Sequence, residues 1–322
     1  MIFEKYKKHI KDKILKCGLC GDQADVIADY MSVCDFFGIT SHGSRTLDAH
    51  INKIENSEYN INPSFRVLKE TPSFALIDGD NAIGMVSAKY CVNYAVNMAK
   101  KNGVFTVFSQ NNNTFGAAFY YAYTMAKRGM LVMISSNSPA QMAPFGGVEK
   151  LLGTNPFAIG IPADKNEPIV IDMATSVSAK SKFKEYKERG EKLPVGWALD
   201  KDGNPTTDPD EAMAGTVLPM AGFKGYGIAL AIDMISGLMS GAAFLDGVGR
   251  FYGGSKNGMN VGYYVCAIDP TVIYGEGFYT EVDKYIDHIR KSKTADGKEI
   301  ALPGDDRLKT YEKNMTQGII VE

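Results

Sequence analysis

The sequence of 322 residues has little excess charge, only four histidines and no long uninterrupted apolar run. Its 35 Lys and Arg stand against 37 Asp and Glu, a formal net charge of −2. With no basic stripe to neutralise phosphates, the chain is not expected to bind nucleic acid. No polybasic cluster suits it to an anionic membrane surface either. The longest apolar stretch, Tyr226 to Leu245, is interrupted by Asp233 and by Gly and Ser residues, so it reads as a buried helix and not as a membrane span. The first residues disperse Glu4, Lys5, Lys7, Lys8 and His9 among apolar neighbours and show no secretory core. Cys17, Cys20, Cys34, Cys91 and Cys266 are odd in number and irregular in spacing, which points to a reduced, cytoplasmic setting. Cys17 and Cys20 have redox or ligand spacing, but no second pair or His cluster completes four ligands. No metal is expected, and the pair reads as the end of a helix at Gly21.

Several catalytic signatures are also missing. No Gly-x-Gly-x-x-Gly follows a strand and no Walker A sequence exists, so a standard Rossmann or P-loop site has little support. A Gly-x-Ser-x-Gly elbow, a His-Glu-x-x-His helix and the paired carboxylates of glycoside chemistry are absent too.

What is present is glycine, 33 residues of it, together with Asn-rich loops that suit sharp turns and exposed amides. The length suits one large domain or two smaller ones. The first seventy residues read as helices. Ile10, Ile14 and Leu15 recur at helical spacing, Asp22 is a candidate N-cap for a second helix that Gly38 stops, and a third follows Ser41 with Leu47, His50, Ile51 and Ile54 on one face. From Ser73 strands alternate with helices: Phe74–Ile77, Val104–Phe108, Met130–Ser135, Phe157–Ile161, Ile169–Ile171 and Val261–Ile268 read as strands of a covered sheet.

Three places stand out chemically. Gly222-Phe-Lys-Gly-Tyr-Gly227 sets a cation and free amides at a helix start, where an anion would be stabilised; a solvated Lys beside a turn is the alternative. His42, in Thr40-Ser-His-Gly43, could orient an imidazole for proton transfer near neutral pH, or be a satisfied loop residue next to a Ser41 cap. Asp172 ends an apolar strand, where α/β proteins place ligand contacts, and could equally cap the next helix.

Taken in order, Gly38-Ile-Thr-Ser-His-Gly43, the Asn-x-Phe-Gly116 turn, Pro144-Phe-Gly-Gly147, Leu152-Gly-Thr-Asn-Pro156, Ile171-Asp-Met-Ala-Thr-Ser176, Leu193-Pro-x-Gly-Trp197, Asp202-Gly-Asn-Pro-Thr-Thr-Asp-Pro209, Lys224-Gly-Tyr-Gly227 and Leu302-Pro-Gly304 resemble the malate/L-lactate dehydrogenase family of the non-Rossmann type. That family includes ureidoglycolate and sulfolactate dehydrogenases, diketogulonate reductases and cyclic-imine reductases. The resemblance spans nearly the whole chain. It implies an α/β fold with a three-layer mixed sheet and a helical N-terminal part, here residues 1–72. Residues 73–322 would form the mixed α/β cofactor-binding domain, with a C-terminal segment returning to the helical part. It also implies hydride transfer between NAD or NADP and a small-molecule substrate, in a homodimer whose active site lies near the subunit interface. The cofactor contacts carried over are Ser136, Asn137, Pro168, Asp172, Met173, Ala174, Lys224, Gly225, Gly304, Asp305 and Asp306.

On the substrate side the resemblance points to Ser41, His42, His50 and Thr114 for catalysis and to Arg45, Thr46 and Lys182 for binding, and here the sequence departs from the family. Relatives carry a His where Thr114 stands, an Arg where Thr46 stands and often a Tyr where His50 stands. A Thr hydroxyl has no accessible pKa with which to act as a base, so His42 is the first acid–base candidate and His50 the second. One residue of helix turns about 100°, so Arg45 cannot simply replace the Arg missing at Thr46. Losing a bidentate Arg costs about 2–4 kcal/mol of acid binding unless something compensates, which counts against simple malate or lactate as substrate. Two functions are therefore in play: an NAD(P)-dependent oxidoreductase with an altered substrate site, acting on a 2-oxo or 2-hydroxy acid or a related ketone or imine, and a non-catalytic nucleotide-binding member of the family.

Overall fold

The computed structural model describes residues 1–253 and 258–320. Helices α1 (Phe3–Leu15) and α2 (Gly21–Phe36) form where apolar residues recur three and four apart, and they bury Tyr6, Ile10 and Ile14 on the first and Ala24, Ile27, Ala28, Met31 and Cys34 on the second. The start of α2 has no side-chain cap, so Asp22 lies in its first turn and not at its N-cap. After Gly38 the chain makes two 3₁₀ turns, Thr40–His42 and Ser44–Thr46, before α3 (Leu47–Glu55). The single third helix expected after Ser41 is thus broken at Gly43, and regular helical spacing does not relate His42 to His50.

The central sheet has seven strands: β1 (Arg66–Glu70), β2 (Phe74–Asp78), β3 (Val104–Asn112), β4 (Leu131–Ser136), β5 (Phe157–Ile161), β6 (Ile169–Met173) and β10 (Val261–Ile268), in the order β1-β2-β3-β10-β4-β5-β6. Only β2 and β3 pair in parallel, so the sheet is mixed. Helices α4 (Gly84–Asn102) and α5 (Ala118–Ala126) pack against it, and the segment after α8 (Phe223–Ile232), a π turn Asp233–Gly237 and a 3₁₀ turn Leu238–Ser240, packs against its central strands. One hydrophobic core runs from α1 and α2 through α4 and α5 into the sheet.

A smaller three-stranded sheet, β7 (Ala198–Leu199), β8 (Pro205–Thr206) and β9 (Thr216–Val217), joins α6 (Lys180–Glu188) and α7 (Pro209–Ala214) around a separate core that includes Phe183 and Leu193. The short α9 (Pro270–Tyr274) and α10 (Phe278–Arg290) lead to α11 (Asp305–Gln317). That last helix returns to α2: Tyr311 stacks on Phe37 at 4.2 Å, and Asn314 Nδ2 donates to Phe36 O at 2.9 Å. Among the described residues no helix is long and apolar enough to cross a membrane. The apolar stretch read as a buried helix is in fact open on one side, with Met234, Leu238 and Met239 exposed.

Candidate active site

A cavity of about 660 Å³ opens where the Thr40–Thr46 turns, the turn before α5 and the loop after β4 meet. Ser41, His42, Thr46, His50 and Thr114 all line it, so residues scattered over the first 114 positions converge. The His42 side chain is exposed to the cavity and lined by its walls. Desolvation, together with the Arg307 charge, holds its pKa below the usual imidazole value. Ser41 Oγ lies 2.9 Å from His42 Nδ1 and fixes the ring, which leaves Nε2 to exchange a proton.

His50 is a different kind of histidine. Its Nδ1 lies 3.0 Å from the Tyr59 hydroxyl and its ring packs edge-on against Phe251. Burial, with a smaller push from Lys53, brings its pKa down to about 4. It is neutral near pH 7, so it can hydrogen-bond a ligand but is poorly matched to proton transfer there. Thr114 Oγ1 accepts from the Gly116 amide at 3.3 Å, and Thr46 Oγ1 donates to Gly43 O at 2.8 Å. Gly116 has φ +83°, and a Cβ there would stand 1.9 Å from the Tyr30 hydroxyl, so only glycine lets this turn close over Tyr30.

Two residues implied as substrate contacts lie elsewhere. Arg45 lines a second cavity with Tyr6, Asp35 and Asp48, because one step along the tight 3₁₀ turn rotates its side chain away from that of Thr46. Lys182 is exposed on α6 and does not line the site; Lys180, two residues earlier, does. Sequence reasoning missed Lys180, Lys150 and Arg250, which give the cavity three cations and no carboxylate among its lining. It also missed Tyr30, whose hydroxyl accepts from the Ala117 amide at 2.5 Å. Their only sequence signal was proximity to the family-like motifs.

Most of the segments implied for the cofactor meet along β6, at both its start and its end. Met220 N donates to Thr175 O at 2.9 Å and Gly225 N to Met220 O at 3.0 Å, which ties the start of α8 to the residues after β6. From the other side Val170 N donates to Pro303 O at 3.3 Å, next to Gly304. Arg307 Nη2 meets Asp172 Oδ2 at 3.3 Å. Burial raises the Asp172 pKa while Arg307 and the Phe119 amide oppose it. Arg307 therefore links this region electrostatically to His42. Pro168 is buried, Met173 exposed, and Ala174 half-buried. Asp305 is held by Arg290 at 3.2 Å and by the Leu302 amide, whereas Asp306 is exposed on a neighbouring cavity.

Ser136 and Asn137 are buried and internally bonded: Ser136 Oγ donates to Asn137 O, and Asn137 bridges Ala243 O and the Gly262 amide. The wall beside them is formed by the residues that follow, Ser138 to Gln141. Lys224 is exposed at the start of α8, a helix with no side-chain cap, and has no carboxylate partner among the described residues. An exposed lysine beside free amides at a helix start suits an anionic group such as the phosphate of a dinucleotide.

The malate/L-lactate dehydrogenase family model matches residues 1–322. The L-sulfolactate dehydrogenase of Methanocaldococcus jannaschii is 38% identical over 303 residues, covering 94% of this chain and 87% of that protein. Its solved structure superposes with a TM-score of 0.93 at 37% identity, covering all of this chain and 93% of the other. The malate dehydrogenase of Pyrococcus horikoshii is 35% identical over 316 residues, 95% of this chain and 87% of its own length. The NAD(+)-named ureidoglycolate dehydrogenase of Escherichia coli K12 is 32% identical over 312 residues, 96% and 89% of the two chains.

Proposed function

Because the chain belongs to the malate/L-lactate dehydrogenase family, we propose that it oxidises a small 2-hydroxy acid, or reduces the matching 2-oxo acid, with His42 as the acid–base residue. The NAD(P) dependence is that of the family. The observation that carries the reading is the cavity: His42 on its wall, three cations around it and no carboxylate. Such a field concentrates acid anions.

In the oxidative direction a bound NAD(P)⁺ would supply the redox chemistry as acceptor of the carbinol hydride, while His42 Nε2 takes the hydroxyl proton. Reduction reverses both transfers. Ser41 holds the His42 ring through Nδ1, and neutral His50 and the Thr114 hydroxyl orient the substrate oxygen by hydrogen bonds. Lys224 and Gly225, the Pro168–Ala174 segment, the Gly304–Asp306 turn and the Ser136–Asn137 backbone would hold the dinucleotide.

We further propose a homodimer, supported by the apolar side chains left exposed along α8 and the turns after it. The five cysteines are free thiols, which suits a reducing compartment such as the cytoplasm. Turnover of a panel of 2-hydroxy and 2-oxo acids with NAD(H) and NADP(H) tests the reading: His42→Ala should abolish it, and full activity in that variant would sink the assignment. Cofactor binding without turnover of any acid, ketone or imine would favour the non-catalytic alternative.

A further inference from the structure

The cavity has a threonine at position 46, where the family resemblance implies an arginine, and two ammonium groups on another wall. Lys150, from the loop before Leu152, and Lys180, the first residue of α6, come from segments far apart in sequence and meet at the end of α7. Lys150 Nζ donates to Ala214 O at 2.7 Å, and Lys180 Nζ donates to Met213 O at 3.2 Å and Gly215 O at 3.0 Å.

Three consecutive carbonyls at a helix end attract a cation, and one lysine is enough to cap them. A second ammonium beside the first adds repulsion that a capping role does not explain. Neither lysine has a carboxylate within ion-pair distance among the described residues. Each ammonium carries three N–H donors. After the carbonyl contacts, two remain on Lys150 and one on Lys180, on the wall of a cavity that also contains His42. Burial, then the Lys150 charge, draws the Lys180 pKa down to about 8, as expected for a cation that lacks its counter-ion.

We propose that Lys150 and Lys180 are a paired-ammonium receptor for a second acidic group of the substrate, a carboxylate or sulfonate remote from the reacting carbon, so that the enzyme prefers diacids to monoacids. The inference rests on the reading of this cavity as the substrate site and specifies its selectivity. It also supplies the compensation for Thr46 that the sequence alone did not reveal.

Titration calorimetry with malonate, sulfoacetate and acetate tests the receptor directly, in the wild type and in Lys150→Gln, Lys180→Gln and Lys180→Arg. The glutamine variants should each weaken malonate or sulfoacetate about tenfold, the loss of one charge-assisted pair, and acetate less than about twofold. Lys180→Arg should restore most of the affinity. The two diacids tell carboxylate from sulfonate preference. Wild-type diacid affinity should fall between pH 7 and 9 as Lys180 loses its proton, and Lys180→Gln should flatten that slope, a result that a mere loosening of α7 does not produce.

Equal losses for mono- and diacids, or unchanged malonate and sulfoacetate affinity in both glutamine variants, would overturn the proposal. Kinetics with malate, 3-sulfolactate and lactate separate it from the dehydrogenase reading. Lysine-dependent diacid binding without any turnover sinks that reading and leaves the receptor standing. Turnover with diacid KM values indifferent to both lysines does the reverse.

Discussion

Gly43 lies against the carboxylate of Asp35, so close that a Cβ at position 43 would stand 1.9 Å from Asp35 Oδ1. The same carboxylate accepts from the Ser44 amide at 2.8 Å and from the Tyr6 hydroxyl at 2.7 Å. A buried acid thus clamps the break between the two 3₁₀ turns, and His42 sits immediately before it. Gly43→Ala should lower kcat/KM about 100-fold by displacing His42, since misplacements of about 1 Å cost that much. In an Asp35→Ala background the clash is gone, and the same substitution should cost less than about tenfold. The kinetics of the four proteins of this double-mutant cycle check the coupling; additive losses would mean that the two residues act separately.

The acid limb of the oxidation rate reports His42. A neutral imidazole must take the proton, and burial together with Arg307 lowers its pKa. The midpoint in kcat/KM against pH should therefore fall below about 6.5, the reference value for an exposed imidazole. Arg307→Gln removes the positive charge that disfavours the imidazolium. The midpoint should move up in that variant. A downward shift, or none, would remove Arg307 from the electrostatics of the site.

His50 makes stability depend on pH. Its pKa in the folded chain is about 4, against a reference value of about 6.5 when unfolded. As pH falls through 6.5 the unfolded chain takes up a proton that the native state refuses until about 4, so stability drops across that window, by about 3 kcal/mol. His50→Gln keeps a polar group near Tyr59 but does not titrate. Urea unfolding of both proteins from pH 7 to 4 should show the wild type losing about 3 kcal/mol more than the variant. Parallel curves would mean that the imidazole is hydrated in the native state.

The strands were legible because their apolar runs are short and bounded by turns, as in Phe74–Asp78 and Phe157–Ile161. The break at Gly43 was not, because it depends on Asp35, eight residues earlier on another helix. The apolar stretch from Tyr226 reads as buried in sequence because its polar residues are few, yet Asp233, Ser236 and Ser240 face inward while Met234 and Met239 are exposed. The cavity cations escaped notice for a similar reason: Lys150 and Lys180 sit in loop and helix-start settings that look solvated, and only the fold of α6 against α7 brings them together.

Arg45 offers a sharp contrast with Thr46. The arginine lines the cavity beside Tyr6 and Asp35, whereas the threonine faces the substrate cavity. Arg45→Ala should therefore leave the KM for any acid substrate within about twofold, since exposed charges away from a site contribute little. Thr46→Arg should instead lower KM for monoacids, because it adds a charged donor to the site wall. Steady-state kinetics with lactate and malate would check both, and a large KM increase in Arg45→Ala would mean that the Thr40–Thr46 turns rearrange when substrate binds.

The exposed side of α8 and the turns after it supplies the last test. Phe223, Met234, Leu238 and Met239 are 66%, 50%, 49% and 62% exposed, apolar surface that the proposed dimer would cover. Burial in a dimer would remove it from water at about 25 cal/mol per Å², whereas a lysine at its centre would need an ionic partner that this surface does not offer. If the proposed dimer forms through this face, Met234→Lys with Met239→Lys should leave a monomer in size-exclusion chromatography with light scattering, without lowering the helix content seen by circular dichroism. Activity should fall with the dimer, since the π turn behind this face carries Ser236, whose Oγ bonds to Ser135 of β4 at 3.0 Å, one strand residue before Ser136 and Asn137. A variant that stays dimeric would place the interface on another surface.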